Sequence, residues 1–280
     1  MALAFLQPSI AQAQRDSLTI DWWRSLPSVW KEKFRKNANL RYHIDKKELK
    51  RIYKLKSIEC RGINEIGEYI TIESLEPLRF LENLRKVDLS YAQVFDLSPL
   101  ANLKKLRVVN CSNTNIETLA PLAALDRLRE LRCASTMIRS LEPIKNLKKL
   151  ESIDLYQARI RDFSSIAHFS RLKTLDLQNT EIRSLEPLKN LERLEELAIS
   201  ENKKLTDLSP ISQLDRLEKL ECFNTKITSI EPLRGMRRLV YVNINRSDVS
   251  SLEPLSESTD LEELYASNTL ISDLKPIGNH

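Results

Sequence analysis

Histidine, cysteine and paired carboxylates are the residue types that most often carry chemistry, and in this chain none is arranged to do so. The three histidines, His43, His168 and His280, fall in unrelated parts of the sequence, so no His–His or Cys–His pair is indicated. Cys60, Cys111, Cys133 and Cys222 show no C-x-x-C or Cys/His ligand spacing, which leaves a metal site without support. Gly62, Gly67, Gly235 and Gly278 stand singly, whereas a phosphate-cradling loop needs glycines in a run. Asp and Glu recur periodically instead of gathering around a pocket, which argues against a glycosidase-like carboxylate pair. The reading is a non-enzymatic chain that needs no cofactor or metal.

Residues suited to recognition are better represented. Aromatic and Arg side chains dominate protein-binding energies, the best contributing about 2 kcal/mol or more. Phe223, Tyr241 and Tyr265, with Asn243 and Arg246 beside them, make one candidate set; Arg132, Asp154, Tyr156 and Asp176 make a second, suited to orienting a polar partner. Whether either set shares a surface depends on the elements that carry it.

Those elements follow from the prolines. Nine of the eleven fall at Pro77, Pro99, Pro121, Pro143, Pro187, Pro210, Pro232, Pro254 and Pro276, a spacing of 22 or 23 residues with one double step. Ser165 holds the missing place, so one unit repeats about ten times. Leu119, Leu122, Leu125, Leu128, Leu131 and Cys133 in one copy match Leu185, Leu188, Leu191, Leu194, Leu197 and Ile199 in another. Leu197-Ala-Ile199 alternates with period 2, as a short strand does, with Leu197 and Ile199 inward and Glu196, Ala198 and Ser200 outward. Proline suits the first turn of a helical segment, and a Ser, Thr or Asp three residues before it can accept free backbone N–H groups.

A unit this small cannot hide its apolar face alone, so copies stack and their strands form one parallel sheet. The sequence at this point resembles the leucine-rich-repeat superfamily, in the short 22-residue class shared by bacterial internalins and a regulatory subunit of a protein phosphatase. The match covers residues near 49 to 280. The resemblance implies an α/β right-handed solenoid with its parallel sheet on the concave face, short helices or 3-10 turns on the convex face, and a helical N-terminal cap. Where many members carry Asn after the strand, this chain has Thr114, Thr136, Thr180, Thr225 and Thr269, a hydroxyl ladder for backbone groups at the turn, with Ala92, Ala158 and Ser247 elsewhere. The alanine copies are expected to be looser. The four cysteines share the second inward strand position and are expected to be small buried hydrophobes.

On this frame the outward side chains form three columns. Tyr241 is in the first, Arg132, Asp154, Asp176, Asn243 and Tyr265 in the second, and Tyr156 and Phe223 in the third. These positions vary between copies while the inward ones do not, which leaves the wall free for a protein partner. An internalin-like resemblance implies a bacterial, secreted or surface-exposed protein; the phosphatase-subunit resemblance implies a cytoplasmic regulatory subunit that holds an enzyme. A third reading is a polysaccharide binder that stacks sugars on the aromatic track.

Residues 14–48 read as the cap, since Trp22, Trp23, Trp30 and Phe34 recur among charged residues and an uncapped stack exposes an apolar end. Residues 24–56 carry twelve Lys or Arg against three Asp or Glu, within an overall net charge of +5; no nucleic-acid motif accompanies them, and no nucleic-acid partner is expected. Residues 1–13 have the form of a secretion-signal remnant, with cleavage after Ala13 leaving Gln14 first. No apolar run is long enough to span a membrane. The solenoid, residues 49–280, stops within a tenth unit, where Ile271, Leu274 and Ile277 are expected to be partly exposed and an end-to-end homodimer is one outcome.

Overall fold

The structure, a computed structural model, describes residues 18–64 and 66–278. Among them three helices, α1 (Ile20–Ser25), α2 (Ser28–Ala38) and α3 (Lys46–Tyr53), precede ten three-residue strands. These are β1 (Ser57–Glu59), β2 (Lys86–Asp88), β3 (Val108–Asn110), β4 (Glu130–Arg132), β5 (Ser152–Asp154), β6 (Thr174–Asp176), β7 (Glu196–Ala198), β8 (Lys219–Glu221), β9 (Tyr241–Asn243) and β10 (Glu263–Tyr265). They pair in chain order as a single parallel sheet. Parallel neighbours require a return segment across the far side, and each return here contains one 3-10 turn. The chain is thus a solenoid, as its periodicity required.

Pleating turns one side chain of each strand inward. Val87, Val109, Leu131, Ile153, Leu175, Leu197, Leu220 and Val242 are at most 2% exposed, and the next inward position, which includes all four cysteines, is fully buried from Cys60 to Ile244 and half-buried at Ala266. The thiols are free, and Cys111 Sγ lies 3.5 Å from Cys133 Sγ. Burial pushes the Cys222 thiol up to about 12 and raises Cys60 and Cys133 as well.

Each return is closed by the residue three before the proline. From Ser74 to Asp273, all ten such side chains accept the N–H two residues on, at 2.8 to 3.3 Å. These bonds hold the chain at the start of the 3-10 turn, where a helix start would otherwise leave N–H groups without partners. In the copy where Ser165 replaces proline, the 3-10 turn lengthens to Ser164–His168.

The hydroxyl ladder is present. Thr114, Thr136, Thr180, Thr225 and Thr269 donate Oγ1–H to the carbonyl three residues earlier at 2.6 to 2.8 Å, and Ser247 does the same. The looseness expected of the alanine copies is not found. Ala92 and Ala158 are buried, and their backbone N–H groups donate to the same carbonyl position, Leu89 O at 3.0 Å and Leu155 O at 2.8 Å. A small side chain lets the backbone itself approach, so the acceptor stays satisfied. The residue before this position is left-handed in nine successive copies, at Tyr91, Asn113, Ser135, Gln157, Asn179, Glu201, Asn224, Arg246 and Asn268. Asn tolerates that region best, which accounts for four of the nine.

The cap seals one end of the sheet. Phe34, fully buried, meets Trp30 at 5.5 Å, Trp22 at 5.6 Å and Trp23 at 6.5 Å between ring centroids. Trp30 Nε1–H donates to Ser74 O at 3.1 Å, tying α2 to the first repeat. Asn37 uses both ends of its amide on β1, donating to Glu59 O at 3.2 Å and accepting Glu59 N–H at 2.9 Å. The exposed edge of a sheet is thereby partnered by a helix side chain. α3 runs across the junction at residues 48 and 49, so Leu49 and Ile52 pack from a helix and strand structure begins only at Ser57. The expected secretion-signal remnant, residues 1–13, lies outside the described residues. At the other end Leu274 is 63% exposed, with Ile271 and Ile277 half-buried.

Candidate functional site

The outward face of the strands carries the sequence-predicted residues. Tyr241 on β9 is half-buried and Tyr265 on β10 is 45% exposed; register sets Tyr265 opposite Asn243 and Tyr241 opposite Glu263, so the two tyrosines are diagonal neighbours. Their rings meet at 5.5 Å with a tilt of 43°, a favourable aromatic geometry. Tyr265 O–H donates to Glu263 Oε2 at 2.9 Å, and Asn243 Nδ2–H reaches Tyr241 Oη at 3.4 Å. The hydrogen bond to Glu263 raises the Tyr265 phenol above its ordinary value. Phe223 is half-buried two residues past β8, and its N–H is held by Ser200 Oγ at 3.2 Å. Arg246 is exposed at the left-handed turn after β9, so it borders the track rather than lying in a strand.

The second set resolves differently from a mixed patch. Arg132 turns along its own strand, its Nε 2.7 Å from Glu130 Oε1. Asp154 and Asp176 stand directly opposite each other on β5 and β6, followed in register by Ala198 and Glu221. Among the described residues none of these three carboxylates is in an ion pair. Burial raises the Asp176 carboxyl above its usual value, with the charges of Asp154 and Glu221 adding to it. Like charges on facing strands are unfavourable, so this column is an acidic strip interrupted by Ala198. Tyr156 is 39% exposed beside it.

The wall is less free of structural duty than its variability indicated. Asp88, Asn110, Asp154, Asp176 and Asn243 each accept the N–H two residues on, at 2.8 to 3.1 Å. Where the column holds Arg132, Glu221 or Tyr265, the preceding copy supplies the acceptor: Ser112 Oγ for Ala134 N–H, Ser200 Oγ for Phe223 N–H and Asn245 Oδ1 for Ser267 N–H. The third column therefore departs from its outward assignment. Ser90, Ser112, Ala134 and Ser200 are buried because they pack between copies, while the larger Tyr156, Gln178, Phe223 and Asn245 emerge, as does Ser267 in the last copy, which no following copy covers. Sequence reasoning also passed over Asn202, the one Asn at the turn position otherwise held by Thr, Ser or Ala. Its repeat is one residue longer, a signal already present in the 23-residue proline step.

No curated protein matches this sequence. The family model for leucine-rich repeats (two copies) matches residues 170–213. Among solved structures, an internalin from Listeria monocytogenes aligns over 89% of this chain and 78% of its own, at 23% identity and a TM-score of 0.71. A leucine-rich-repeat protein from Leptospira interrogans aligns over 97% of this chain and 78% of its own, at 16% identity and a TM-score of 0.66. A plant peptide hormone receptor, RGFR1 in complex with RGF2, aligns over 79% of this chain and 41% of its own, at 18% identity and a TM-score of 0.58. Repeat unit, sheet and neighbours agree: the chain has the leucine-rich-repeat solenoid fold, similar to that of internalins, and residues 170–213 match the leucine-rich-repeat family model.

Proposed function

We propose that this chain is a non-enzymatic recognition module that binds a protein partner on its strand wall. The observation carrying the reading is the tyrosine pair, Tyr241 against Tyr265, standing on the same face as carboxylates that are in no ion pair among the described residues. A partner that covers the wall removes water from the rings, and a Lys or Arg of that partner relieves the Asp154–Asp176–Glu221 column. Phe223, Asn243, Arg246, Tyr156 and Arg132 border these two centres. The partner's contact surface is accordingly apolar at one end and basic toward the middle.

A pull-down compares wild type with the Phe223→Ala/Tyr241→Ala/Tyr265→Ala variant. The reading expects a prey retained by wild type and lost by the variant at unchanged fold; a prey retained by both places the contact elsewhere. An exported or surface location, supported by the internalin-like fold, is tested by mass spectrometry of the mature N-terminus, where Gln14 first supports export and an intact Met1 in a cytosolic fraction supports an intracellular regulatory subunit. Neutral-glycan binding abolished by Tyr241→Ala favours sugar stacking instead.

A further inference from the structure

A second surface lies on the flank of the solenoid, at the residue immediately before the leucine that leads into each strand. Seven successive copies carry a cation there: Lys105, Arg127, Lys149, Arg171, Arg193, Arg216 and Arg238. All seven are exposed, and among the described residues none is in an ion pair. What sets the column apart is seven unpaired cations in unbroken succession. Two positions further on, Arg129 pairs with Glu151 and Lys173 with Glu195 across neighbouring copies at 2.5 and 2.7 Å, so the repeat readily alternates sign where it carries charge. On the convex side Arg79, Lys189 and Arg234 are likewise taken up by Glu76, Glu186 and Glu231.

Strand spacing sets the rungs about 4.8 Å apart, so seven rungs form a straight basic ladder roughly 30 Å long. Like charges on neighbouring copies repel, and among the described residues no ion pair offsets them along this line. At its cap end the ladder widens into a groove of about 340 Å³ whose charged lining is wholly cationic, with Lys54, Lys56, Arg85 and Arg107 joining Lys105 and Arg127. Asn83 is the remaining lining residue, and its Oδ1 accepts Lys105 Nζ–H at 2.7 Å, which braces the first rung.

We propose that this flank binds a linear acidic polysaccharide, with the groove as its primary subsite and the ladder as its track. A one-dimensional row of point charges matches a chain that bears an anion on successive sugars, whose rise per sugar is close to the strand spacing. Single-stranded nucleic acid is bound by stacking bases on aromatic rings, and the groove is lined by no aromatic side chain. An anionic membrane is a plane, and a row one residue wide offers it few contacts at a time. The surface is separate from the tyrosine wall and does not depend on it.

The test measures binding of a fluorescent heparin octasaccharide to the full chain by anisotropy, with salt titration. Lys105→Gln/Arg107→Gln/Arg127→Gln is expected to weaken binding roughly tenfold or more. It also flattens the dependence of log K on log salt by about two to three, the number of charges removed. Arg79→Gln/Lys189→Gln, which removes two paired cations, and Tyr241→Ala/Tyr265→Ala are expected to bind as wild type does. The proposal is overturned if wild type does not bind, if the paired-cation control loses as much as the groove variant, if the tyrosine variant does so, or if duplex DNA or phosphatidylserine vesicles bind more tightly than the glycan.

Discussion

Asn202 joins its own repeat to the one before it through Thr180. The Asn202 Oδ1 accepts Thr180 N–H at 3.1 Å, while Nδ2 donates to Ile199 O at 2.8 Å and to Leu177 O at 2.9 Å. The side chain is fully buried, so each of these groups is without water. Leu177 O keeps the Thr180 Oγ1–H bond at 2.6 Å, so Asn202→Ala strands Thr180 N–H and takes the side-chain donor from Ile199 O, and is expected to destabilise the chain by about 3 kcal/mol. Asn202→Thr restores the bond to Ile199 O and orphans only Thr180 N–H, at roughly half that cost. Urea unfolding of the two variants checks the order.

Gly62 is required by proximity, not by torsion. A Cβ placed there meets Tyr91 O at 1.8 Å and Tyr91 C at 2.3 Å, both backbone atoms of the next copy that no rotamer can move. Gly62→Ala is expected to cost about 2 kcal/mol or more through forced backbone displacement. Gly67 has open space and a φ of +84°, so Gly67→Ala carries only the left-handed penalty of about 1 kcal/mol. Thermal melts of both variants separate the two causes.

Asp176 sets a pH signature. Its carboxyl is raised in the folded chain by burial and by Asp154 and Glu221, so the folded state holds the proton more tightly than the unfolded one. That raised value makes stability fall as pH rises through the window from the ordinary Asp value to the folded one, and recover as pH falls back through it. Asn110 and Asn243 make the same bond to the N–H two residues on, so Asp176→Asn preserves the local geometry. The variant is expected to have a higher Tm than wild type at neutral pH, with the gap closing once acid protonates Asp176. Asp96 and Asp207, lowered by hydrogen bonds from Ser98 and Ser209, act in the opposite sense and form a background common to both chains.

The four cysteines are expected to be inert while the chain is folded. All are fully buried, and burial holds Cys60, Cys133 and Cys222 as thiols well above neutral pH. A thiol reagent such as DTNB at pH 8 should label none of them in native protein and all of them in denaturant. Rapid native labelling would mean that the stack opens locally around Cys111 and Cys133.

The repeat, the inward faces, the closing Ser, Thr or Asp and the hydroxyl ladder were legible because each places one residue type at one phase of a fixed period. Features shared by backbone conformation alone were hidden. The left-handed position accepts Tyr91, Gln157, Glu201 and Arg246 as well as Asn, so no side-chain pattern marks it. Burial of Ser112 and Ser200 was equally hidden, since small polar residues look outward until neighbouring copies are seen to use their oxygens. At the candidate site the diagonal of Tyr241 and Tyr265 followed from register, while the turn of Arg132 toward Glu130 is a rotamer choice that spacing does not encode.

Site-specific photo-cross-linking tests the recognition surface most directly. A benzophenone side chain is placed at Tyr265 on the strand wall and, separately, at Glu186 on the convex side, and each full-length protein is irradiated with its partner bound. The account predicts a covalent adduct from position 265 that Tyr241→Ala diminishes, and none from position 186. Cross-linking from position 186 with silence at 265 would contradict it.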